Sequence, residues 1–162
     1  MSKAEDRGSY LLLLCLAQAV TLRIGALGDH ALPPGYYLYA GSALGSGGLA
    51  ARLARHMRQS KKRHWHIDYL LEAAELLEIW VVRSEERREC DLARSALALP
   101  GAGLPIPRFG ASDCRCAAHL IRLERRPALH ELQASAAGLS PFSLAMAQIA
   151  QNAERCYSSL IA

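Results

Sequence analysis

Five side chains with catalytic chemistry occur in this sequence at positions that a small fold can bring together. Tyr10 and Tyr39 are phenols on two apolar stretches, Arg52 and His56 are four residues apart, and Glu89 falls on the apolar face of a predicted helix. Hydrolysis of a phosphodiester needs a base for the attacking water, positive charge on the pentavalent phosphate, and usually a divalent metal near the leaving oxygen. Two phenols, an arginine and a carboxylate that binds Mg²⁺ can supply all three.

Two apolar stretches predict the strands that carry the phenols. Residues 9–16, SYLLLLCL, are too short and too uniformly apolar for a surface helix, so they predict a strand buried on both faces. VTLRIG predicts a second strand, and YYLYAG predicts a third that is rich in aromatic residues and ends at Gly41. The turn formers of ALGDHALPPG separate the second strand from the third. Together the three strands predict a three-stranded antiparallel unit.

Arg52 and His56 lie on the first predicted helix. After a GSGG bend, the periodicity predicts a helix from about Gly48 to Gln59. Its buried stripe, spaced i, i+4 and i+8, consists of Leu49, Leu53 and Met57. Arg52 and His56 lie together on the border of this stripe, where side chains meet both the core and an open edge. That position suits the rim of an active site.

Glu89 lies on the second predicted helix. ELLEIWVV predicts a strand, and Ser84 with the two glutamates after it predicts the start of a helix over residues 85–99. On that helix Glu89 shares its face with apolar residues at i+3, i+4 and i+7, namely Leu92, Ala93 and Ala96. A carboxylate on an apolar face is anomalous, and the alternative explanation is an acid near the helix start paired with an arginine.

The rest of the chain predicts one more strand and a helical C-terminal part. A loop rich in proline and glycine occupies residues 100–114, and AAHLIRLE predicts a last strand. Farther on, Ser140 is predicted as a helix N-cap with Pro141 at the first helical position. The apolar stripe of that helix comprises Phe142, Ala145, Ile149, Ala153, Cys156 and Leu160. The sequence thus predicts an α+β domain over residues 1–126 and a helical appendage over 127–162.

Positive charge is concentrated in one segment. The chain has 162 residues and a formal net charge of +4, yet no Asp or Glu occurs between Asp29 and Asp68. Such a run is either a solvated helix face or a surface that faces phosphates. On the second interpretation the residues that contact nucleic acid are Arg55, Arg58, Lys61, Lys62, Arg63 and His66. His64 and His66 flank Trp65, and if this segment is a strand they share one face. Either they line a cleft beside the basic helix, or they are core and surface histidines without a catalytic task.

The N-terminus and the cysteines bear on the cellular compartment. A short apolar run after basic residues is compatible with a secretory signal, but Glu5 and Asp6 neutralise the basic region and the run is short. No stretch reaches the ~20 apolar residues of a membrane span. The five cysteines are odd in number and unevenly spaced, unlike a disulfide framework. We therefore expect a cytoplasmic protein with reduced thiols and no membrane partner.

Two other motifs offer different chemistry. GSALGSGG lacks the Lys-Ser/Thr of a P-loop and the G-x-G-x-x-G of a dinucleotide fingerprint, so nucleotide binding is disfavoured. DCRCAAH supplies three zinc-type ligands, although zinc sites more often use C-x2-C. This candidate structural Zn²⁺ site comprises Cys114, Cys116 and His119, with His64, His66 or Cys90 as a possible fourth ligand. The alternative is a loop thiol and two half-buried residues at the start of a strand.

The sequence resembles the GIY-YIG nuclease superfamily. The motif elements are GSY ending at Tyr10, YAG beginning at Tyr39, and RLARH from Arg52 to His56, and YAGSA continuing into RLARH is the most specific part. GYYLYAGSALG, HWHIDYLL and FGASDCRCAAHL are similar to a small stand-alone branch of that superfamily, some of whose members are joined to DNA-repair glycosylases. The 29 positions between Tyr10 and Tyr39 exceed the family pattern, so the resemblance implies a hairpin inserted before the third strand.

The resemblance implies a GIY-YIG-type endonuclease whose expected substrate is DNA and not RNA, with a possible role in DNA repair. Tyr10 would act as general base or orient the attacking water, Tyr39 would position water or phosphate, and Arg52 would stabilise transition-state charge with His56 assisting. Glu89 would hold one Mg²⁺ or Mn²⁺. Tyr36 and Tyr37 are alternatives for the phenol roles, and Asp68 or Asp113 for the carboxylate. A nucleic-acid-binding module that keeps the fold without cleavage is the alternative function.

Overall fold

The apolar run near the N-terminus forms the central strand of a five-stranded antiparallel sheet. The computed structural model describes residues 6–143, 149, 154–156 and 158–161. In chain order the elements are β1 (Gly8–Leu16), β2 (Val20–Arg23), β3 (Asp29–Leu32), β4 (Gly35–Ala43), α1 (Gly48–Met57), α2 (His66–Leu71), β5 (Glu75–Arg83), α3 (Glu89–Leu97), β6 (Leu120–Leu123), α4 (Leu129–Gln133) and β7 (Ser140–Pro141). The fold class is α+β, as predicted.

The sheet has more strands than the sequence predicts, and a different membership. Its order is β6-β4-β1-β5-β7, and every pair is antiparallel. The predicted three-stranded unit is wrong because β2 pairs only with β3, in a separate two-stranded hairpin. β3 lies within ALGDHALPPG, the segment rich in turn formers, for which the sequence predicts no strand. The β2–β3 hairpin lies between β1 and β4 in the chain, and β1 pairs directly with β4.

Helices cover the sheet on both faces. Alternate side chains of β1 enter two different apolar clusters, as the two-residue period of a strand requires. On one face Leu12 and Leu14 pack with Leu49 and Leu53 of α1. On the other face the odd-numbered positions of β1 pack with Leu92 of α3 and with residues of α4. The two phenols, Tyr10 and Tyr39, are on the α1 face.

Tyr10 requires a glycine opposite it in the sheet. It pairs with Gly41 across β1 and β4, and a Cβ atom on Gly41 would lie 2.4 Å from the Tyr10 hydroxyl oxygen. No side chain fits at that distance, so the glycine of the YAG motif is needed to place the phenol. The close approach of the Tyr10 ring therefore explains why glycine occupies the last position of the YAG motif.

The glycine-rich bend leads into α1 but does not present an empty anion site. The backbone carbonyl of Asp6 accepts a hydrogen bond from Leu49 N at 2.7 Å, and Asp6 Oδ2 accepts one from Ala50 N at 3.0 Å. The positive end of the helix is thus already occupied by a carboxylate of the same chain. This agrees with the absence of a phosphate-loop motif.

The start of α3 is displaced from the predicted position, and a helix follows Trp65. α3 begins at Glu89, not at residue 85, because Ser9 Oγ of β1 accepts a hydrogen bond from Arg88 N at 2.9 Å and Ser84 caps a turn at Glu86. His66 starts the short helix α2, so the condition under which His64 and His66 would share one face of a strand is not met.

The C-terminal part contains the short helix α4 and then an edge strand. The sequence predicts that Ser140 and Pro141 start a helix, and this prediction is wrong. The two residues form β7, which pairs with Val81 and Trp80 of β5. Proline is acceptable at a sheet edge, where its missing N–H removes no ladder bond. Residues 149, 154–156 and 158–160 are helical, whereas Ala145 and Ala153 of the predicted stripe lie outside the described residues.

The C-terminal segment also carries a disulfide partner for the sheet. Cys156 is bonded to Cys15 of β1, over a sequence separation of 141 residues. The expectation of reduced thiols is therefore wrong for these two cysteines, while Cys90, Cys114 and Cys116 are free. A bond between such distant positions has no local signal in the sequence.

Within the described residues, no helix has the length and apolar character needed to cross a bilayer.

Candidate active site and metal centre

One cleft gathers the catalytic candidates. Its volume is about 530 Å³, and it opens where β1 and β4 meet the starts of α1 and α3. We define the cleft by six of its lining residues: Tyr10, Tyr39, Ser42, Arg52, Glu89 and His119. Residues separated by up to 109 positions in the chain thus share one surface.

Tyr10 and His56 form a buried pair at the floor of the cleft. The Tyr10 hydroxyl and His56 Nε2 are 2.7 Å apart, and only 1% and 3% of the two residues are exposed. Burial lowers the pKa of His56 to about 3, so its ring is neutral at pH 7. His56 Nδ1 has no hydrogen-bond partner among the described residues. Because an unpaired acceptor is tolerated better than an orphaned N–H, we assign the proton to Nε2, which then donates to Tyr10.

Tyr10 is therefore a neutral phenol whose own O–H remains available. Burial raises its pKa to about 12, against the opposing effect of Arg52. With His56 donating to its oxygen, the Tyr10 hydroxyl can donate into the cleft. A neutral phenol orients a water molecule or phosphate oxygen, but it does not remove a proton from water at pH 7.

Tyr39 forms the second buried phenol of the cleft. It is 7% exposed and packs edge-on against Phe109, with ring centroids 6.0 Å apart. Burial raises its pKa above the ordinary value for tyrosine. The alternative phenols lie elsewhere: the Tyr37 hydroxyl donates to the Pro33 carbonyl at 2.5 Å, and Tyr36 packs on the opposite face of the sheet.

Arg52 and its neighbour Arg55 have different partners. Both guanidinium carbons lie 4.2 Å from the Trp65 ring centroid. Arg55 also donates two hydrogen bonds to Asp68, each 2.9 Å long. Arg52, by contrast, forms no ion pair with a carboxylate in the part of the chain that the structure describes. Arg52 is thus a cation oriented by an aromatic ring and available to an anionic ligand, whereas Arg55 has a structural partner.

Asp68 holds Arg55 and the segment around Trp65 in place. Its fully buried carboxylate accepts from Arg55 and from the backbone N–H groups of His64 and Trp65. Burial by itself disfavours the charged form, but these hydrogen bonds outweigh that effect and lower the pKa of Asp68 to about 2. Asp68 thereby holds the Trp65 segment and Arg55 together and is not free to bind a metal.

We expect Asp68 to make the fold sensitive to acid. The carboxylate has a lower pKa folded than its ordinary value of 3.8, so its stabilisation is complete above about pH 4 and is lost as the pH falls through 2. The shift corresponds to roughly 2 kcal/mol. Asp68→Asn should be less stable than wild type by at least that amount at pH 6, and the difference should shrink toward pH 2. Denaturant titrations at both pH values measure this. The exposed Glu124→Gln is the control, and an unchanged difference at low pH would contradict the expectation.

Glu89 is the buried carboxylate of the cleft, and it is 5% exposed. One oxygen pairs with Arg87 Nε at 3.0 Å, and Arg87 also contacts Asp113 at 2.9 Å. The other oxygen accepts from Ser42, whose hydroxyl lies 3.0 Å from that of Ser9. Glu89 is the first residue of α3 and is paired with an arginine. The alternative explanation from the sequence, an acid near a helix start that pairs with an arginine, therefore also agrees with the structure. The same carboxylate nevertheless lines the cleft with both phenols.

The donor set fits a hard divalent cation. The carboxylates of Glu89 and Asp113 and the Ser42 hydroxyl offer oxygen ligands, which Mg²⁺ and Mn²⁺ prefer. The guanidinium of Arg87 lies between the two carboxylates, so positive charge is already favoured at this edge of the cleft. Glu89 is the best candidate ligand because its carboxylate is the buried one.

The six candidate nucleic-acid contacts have diverse environments. Arg58 and Lys62 are exposed. The Arg63 guanidinium, by contrast, donates two hydrogen bonds to the Glu72 carboxylate, at 2.6 and 2.7 Å. Lys61 Nζ donates to two carbonyls at the end of α1, those of His56 and Arg58. His66 and Arg55 also have partners within the chain. His66 Nδ1 accepts from Gly110 N at 3.0 Å, so the ring positions the loop beside the cleft.

A second group of ligands lies next to the cleft. The ligand atoms of Cys90, Cys114, Cys116 and His119 all lie within 4.8 Å of one another, an arrangement that could hold a metal ion of the zinc type. Of the three candidates for the fourth ligand, the structure selects Cys90, at the start of α3. Burial and the neighbouring thiols raise the pKa of Cys90 to about 12, and burial lowers the pKa of His119.

Sequence reasoning missed three members of the Glu89 environment. Arg87 is two residues before Glu89, Ser42 directly follows the YAG motif, and Ser9 lies inside the GSY motif. Their positions beside motif residues were a usable signal. The contact between Ser9 and Ser42 could not be predicted from the sequence, because it depends on the register of β1 with β4, which places the two serines opposite each other.

The family comparison covers most of the chain. Residues 9–140 match the family described as Domain of unknown function DUF123, so the chain belongs to that family. No curated protein and no solved structure is significantly similar to it.

Proposed function

We propose that the protein is a metal-dependent endonuclease that hydrolyses phosphodiester bonds in DNA. The observation that carries the proposal is the composition of the cleft. Two buried phenols, a buried carboxylate and a guanidinium without a carboxylate partner line the same surface. A binding module needs the exposed positive charge but not the buried phenols and carboxylate.

Each side chain has a role that its environment supports. Tyr10, held by His56, orients the attacking water or a phosphate oxygen through its O–H. Tyr39 supplies a second hydroxyl for the same purpose. Arg52 offers a planar cation for the charge that develops on the phosphate, and it is oriented by Trp65 before substrate binds. Mg²⁺ or Mn²⁺ held by Glu89 would supply Lewis-acid charge to the phosphate and the leaving oxygen.

The basic segment would bind the strand outside the reacting phosphate. Arg58 and Lys62 are exposed and suit phosphate contacts, while His64 lines the cleft itself. Their contribution is expected in affinity and in its salt dependence, because phosphate contacts release counterions. Such contacts act equally on all sequences, so the proposal implies recognition of nucleic-acid structure over base sequence. A role in DNA repair would agree with this implication.

The test is a cleavage assay with a conservative variant. Labelled single-stranded, duplex, flap and branched DNA, together with matched RNA, is incubated with Mg²⁺, with Mn²⁺ or with chelator. Tyr10→Phe keeps the ring over Gly41 and removes only the hydroxyl. We expect metal-dependent cleavage that falls on the order of 10²-fold in this variant, the lower end of the loss observed when one preorganised hydrogen-bond donor is removed.

The matched control is Tyr37→Phe, a buried tyrosine of the same sheet face whose hydroxyl serves Pro33 outside the cleft. It should cleave like wild type. Salt-sensitive DNA binding without cleavage on every substrate would instead favour the non-catalytic binding module. Cleavage that Tyr10→Phe leaves unchanged would remove Tyr10 from the mechanism.

A further inference from the structure

The spacing of the second ligand group matches one particular metal. Cys90 Sγ is 3.6 Å and Cys114 Sγ is 3.4 Å from His119 Nε2. With Zn–S bonds of about 2.3 Å and Zn–N bonds of about 2.0–2.1 Å, the ligand atoms of a tetrahedral site lie roughly 3.5–3.8 Å apart. The Cys90 and Cys114 sulfurs therefore lie at about the distance from the imidazole nitrogen that such a site requires, and the Cys116 sulfur lies within 4.8 Å of all three atoms.

We propose that Cys90, Cys114, Cys116 and His119 bind one structural Zn²⁺, and that this ion joins α3 to the loop before β6 and so fixes one wall of the cleft. The ligand set is complete within the chain and leaves no open position for a substrate. The site is separate from the oxygen ligands around Glu89, and its chemistry is different. Soft thiolates select zinc, whereas carboxylate oxygens select Mg²⁺ or Mn²⁺.

The loop that carries three of the ligands is shaped by bonds of its own. The Arg108 guanidinium donates to the carbonyls of Cys114 and Cys116, at 2.8 and 2.5 Å. Arg108 itself has a φ of 62°, a conformation rare for a residue with a side chain. His119 is fixed at both backbone atoms, since its N–H donates to Phe109 and its carbonyl accepts from Ala40.

A metal ion explains this convergence better than a disulfide. A disulfide would use two of the three thiols and leave the third thiol and the imidazole without a purpose. The C-x-C spacing, unusual for zinc, is accommodated because the fork of Arg108 holds both carbonyls while Cys90 comes from another element.

The ligands are adjacent in sequence to the groups around Glu89. Cys90 directly follows Glu89, and Cys114 directly follows Asp113, which shares Arg87 with Glu89. His119 lines the cleft as well. A bond network through zinc would therefore fix the distance between the two carboxylates. This consequence rests on the proposed function, but the existence of the metal site does not.

Metal analysis of the full chain tests the site without reference to activity. Protein produced with zinc in the medium should contain one zinc per chain. Exchange for Co²⁺ should give the strong visible absorption of a tetrahedral thiolate complex. Cys116→Ser should weaken zinc binding by more than the 10- to 100-fold loss typical of an outer-shell partner, measured by chelator competition. The exposed Arg115→Ala, between the two loop cysteines, should retain full occupancy.

Several outcomes would overturn the zinc site. These are absence of stoichiometric zinc in wild type, Co²⁺ spectra without thiolate bands, and a disulfide among the three cysteines in mass spectra of unreduced protein. The wild-type spectra decide the question even where Cys116→Ser does not fold. Zinc binding without cleavage of any substrate would retain the site and reject the proposed function. Cleavage that is unchanged after full zinc removal would reject the coupling to the cleft.

Discussion

Glu89→Gln should abolish metal-dependent cleavage, with a loss on the order of 10³-fold or more in turnover. Loss of an outer-shell partner of a metal typically reduces activity by 10- to 100-fold, and Glu89 is proposed as a direct ligand. Glutamine keeps the size of the side chain and one oxygen, but it removes the charge that attracts a divalent cation. DNA binding should stay within a few-fold of wild type, because the exposed basic residues are unchanged.

The fold should tolerate this substitution. Arg87, which pairs with Glu89, has 57% of its side chain exposed and keeps Asp113 as a second partner. No charge is therefore left buried without a partner, which is the usual cause of large destabilisation in such variants. Zinc content should also be unchanged, although Glu89 precedes a ligand. Intact zinc with lost cleavage would separate the two metal sites.

The controls are chosen from the same region. Glu86→Gln changes an exposed carboxylate three residues away and should cleave normally. Asp113→Asn tests the second carboxylate near Arg87, and we expect a smaller loss than for Glu89→Gln because Asp113 is largely exposed. The opposite order of effects would make Asp113 the principal ligand. Equal activity of Glu89→Gln and wild type in Mg²⁺ would reject the proposed metal site.

The local patterns in the sequence were sufficient for most of the fold. Residues 9–16 are short and uniformly apolar, so they predict a buried strand. The helix that carries Arg52 and His56 is predicted by the spacing of its apolar residues. Both are present within two residues of the predicted ends. Local patterns do not determine which strands pair with each other. The residues of VTLRIG predict a strand, but they do not indicate whether that strand joins the main sheet or forms a hairpin with the next segment.

Helix boundaries failed where a distant residue decides them. Ser84 and two glutamates are a normal helix start, but Ser9 on β1 binds Arg88 N and delays the helix to Glu89. Ser140 and Pro141 are also a normal helix start, yet the open edge of β5 pairs with them. In both cases a tertiary hydrogen bond competes with a local preference worth about 1 kcal/mol.

The candidate site shows the same limit. Residue type and spacing identified Tyr10, Tyr39, Arg52, His56 and Glu89, and all except His56 line one cleft, while His56 bonds to Tyr10 beneath it. The three C-terminal zinc-type ligands were visible as a short motif, but the fourth was one of three possibilities. Choosing Cys90 required knowing that α3 begins beside the loop, which depends on packing across the sheet.

Arg52→Lys should reduce turnover by about 10²- to 10³-fold, the range observed when one preorganised donor to a developing oxyanion is removed. Lysine keeps the positive charge, so general attraction of the nucleic acid is retained. It lacks the planar fork that binds two phosphate oxygens at once and the flat surface that stacks on Trp65. The ammonium would therefore be neither oriented before binding nor matched to the transition state.

Arg58→Ala is the matched control because Arg58 is exposed at the end of the same helix. It should weaken DNA binding and lower the slope of affinity against salt by about one, with turnover unchanged. Arg52→Lys should show the reverse pattern, and added guanidinium compounds should restore part of the activity of Arg52→Ala. If Arg52→Lys instead lost affinity and kept its turnover, Arg52 would be a phosphate anchor of the ground state. Cleavage would then have to depend on the divalent metal and the phenols alone, because Arg55 is already bound to Asp68.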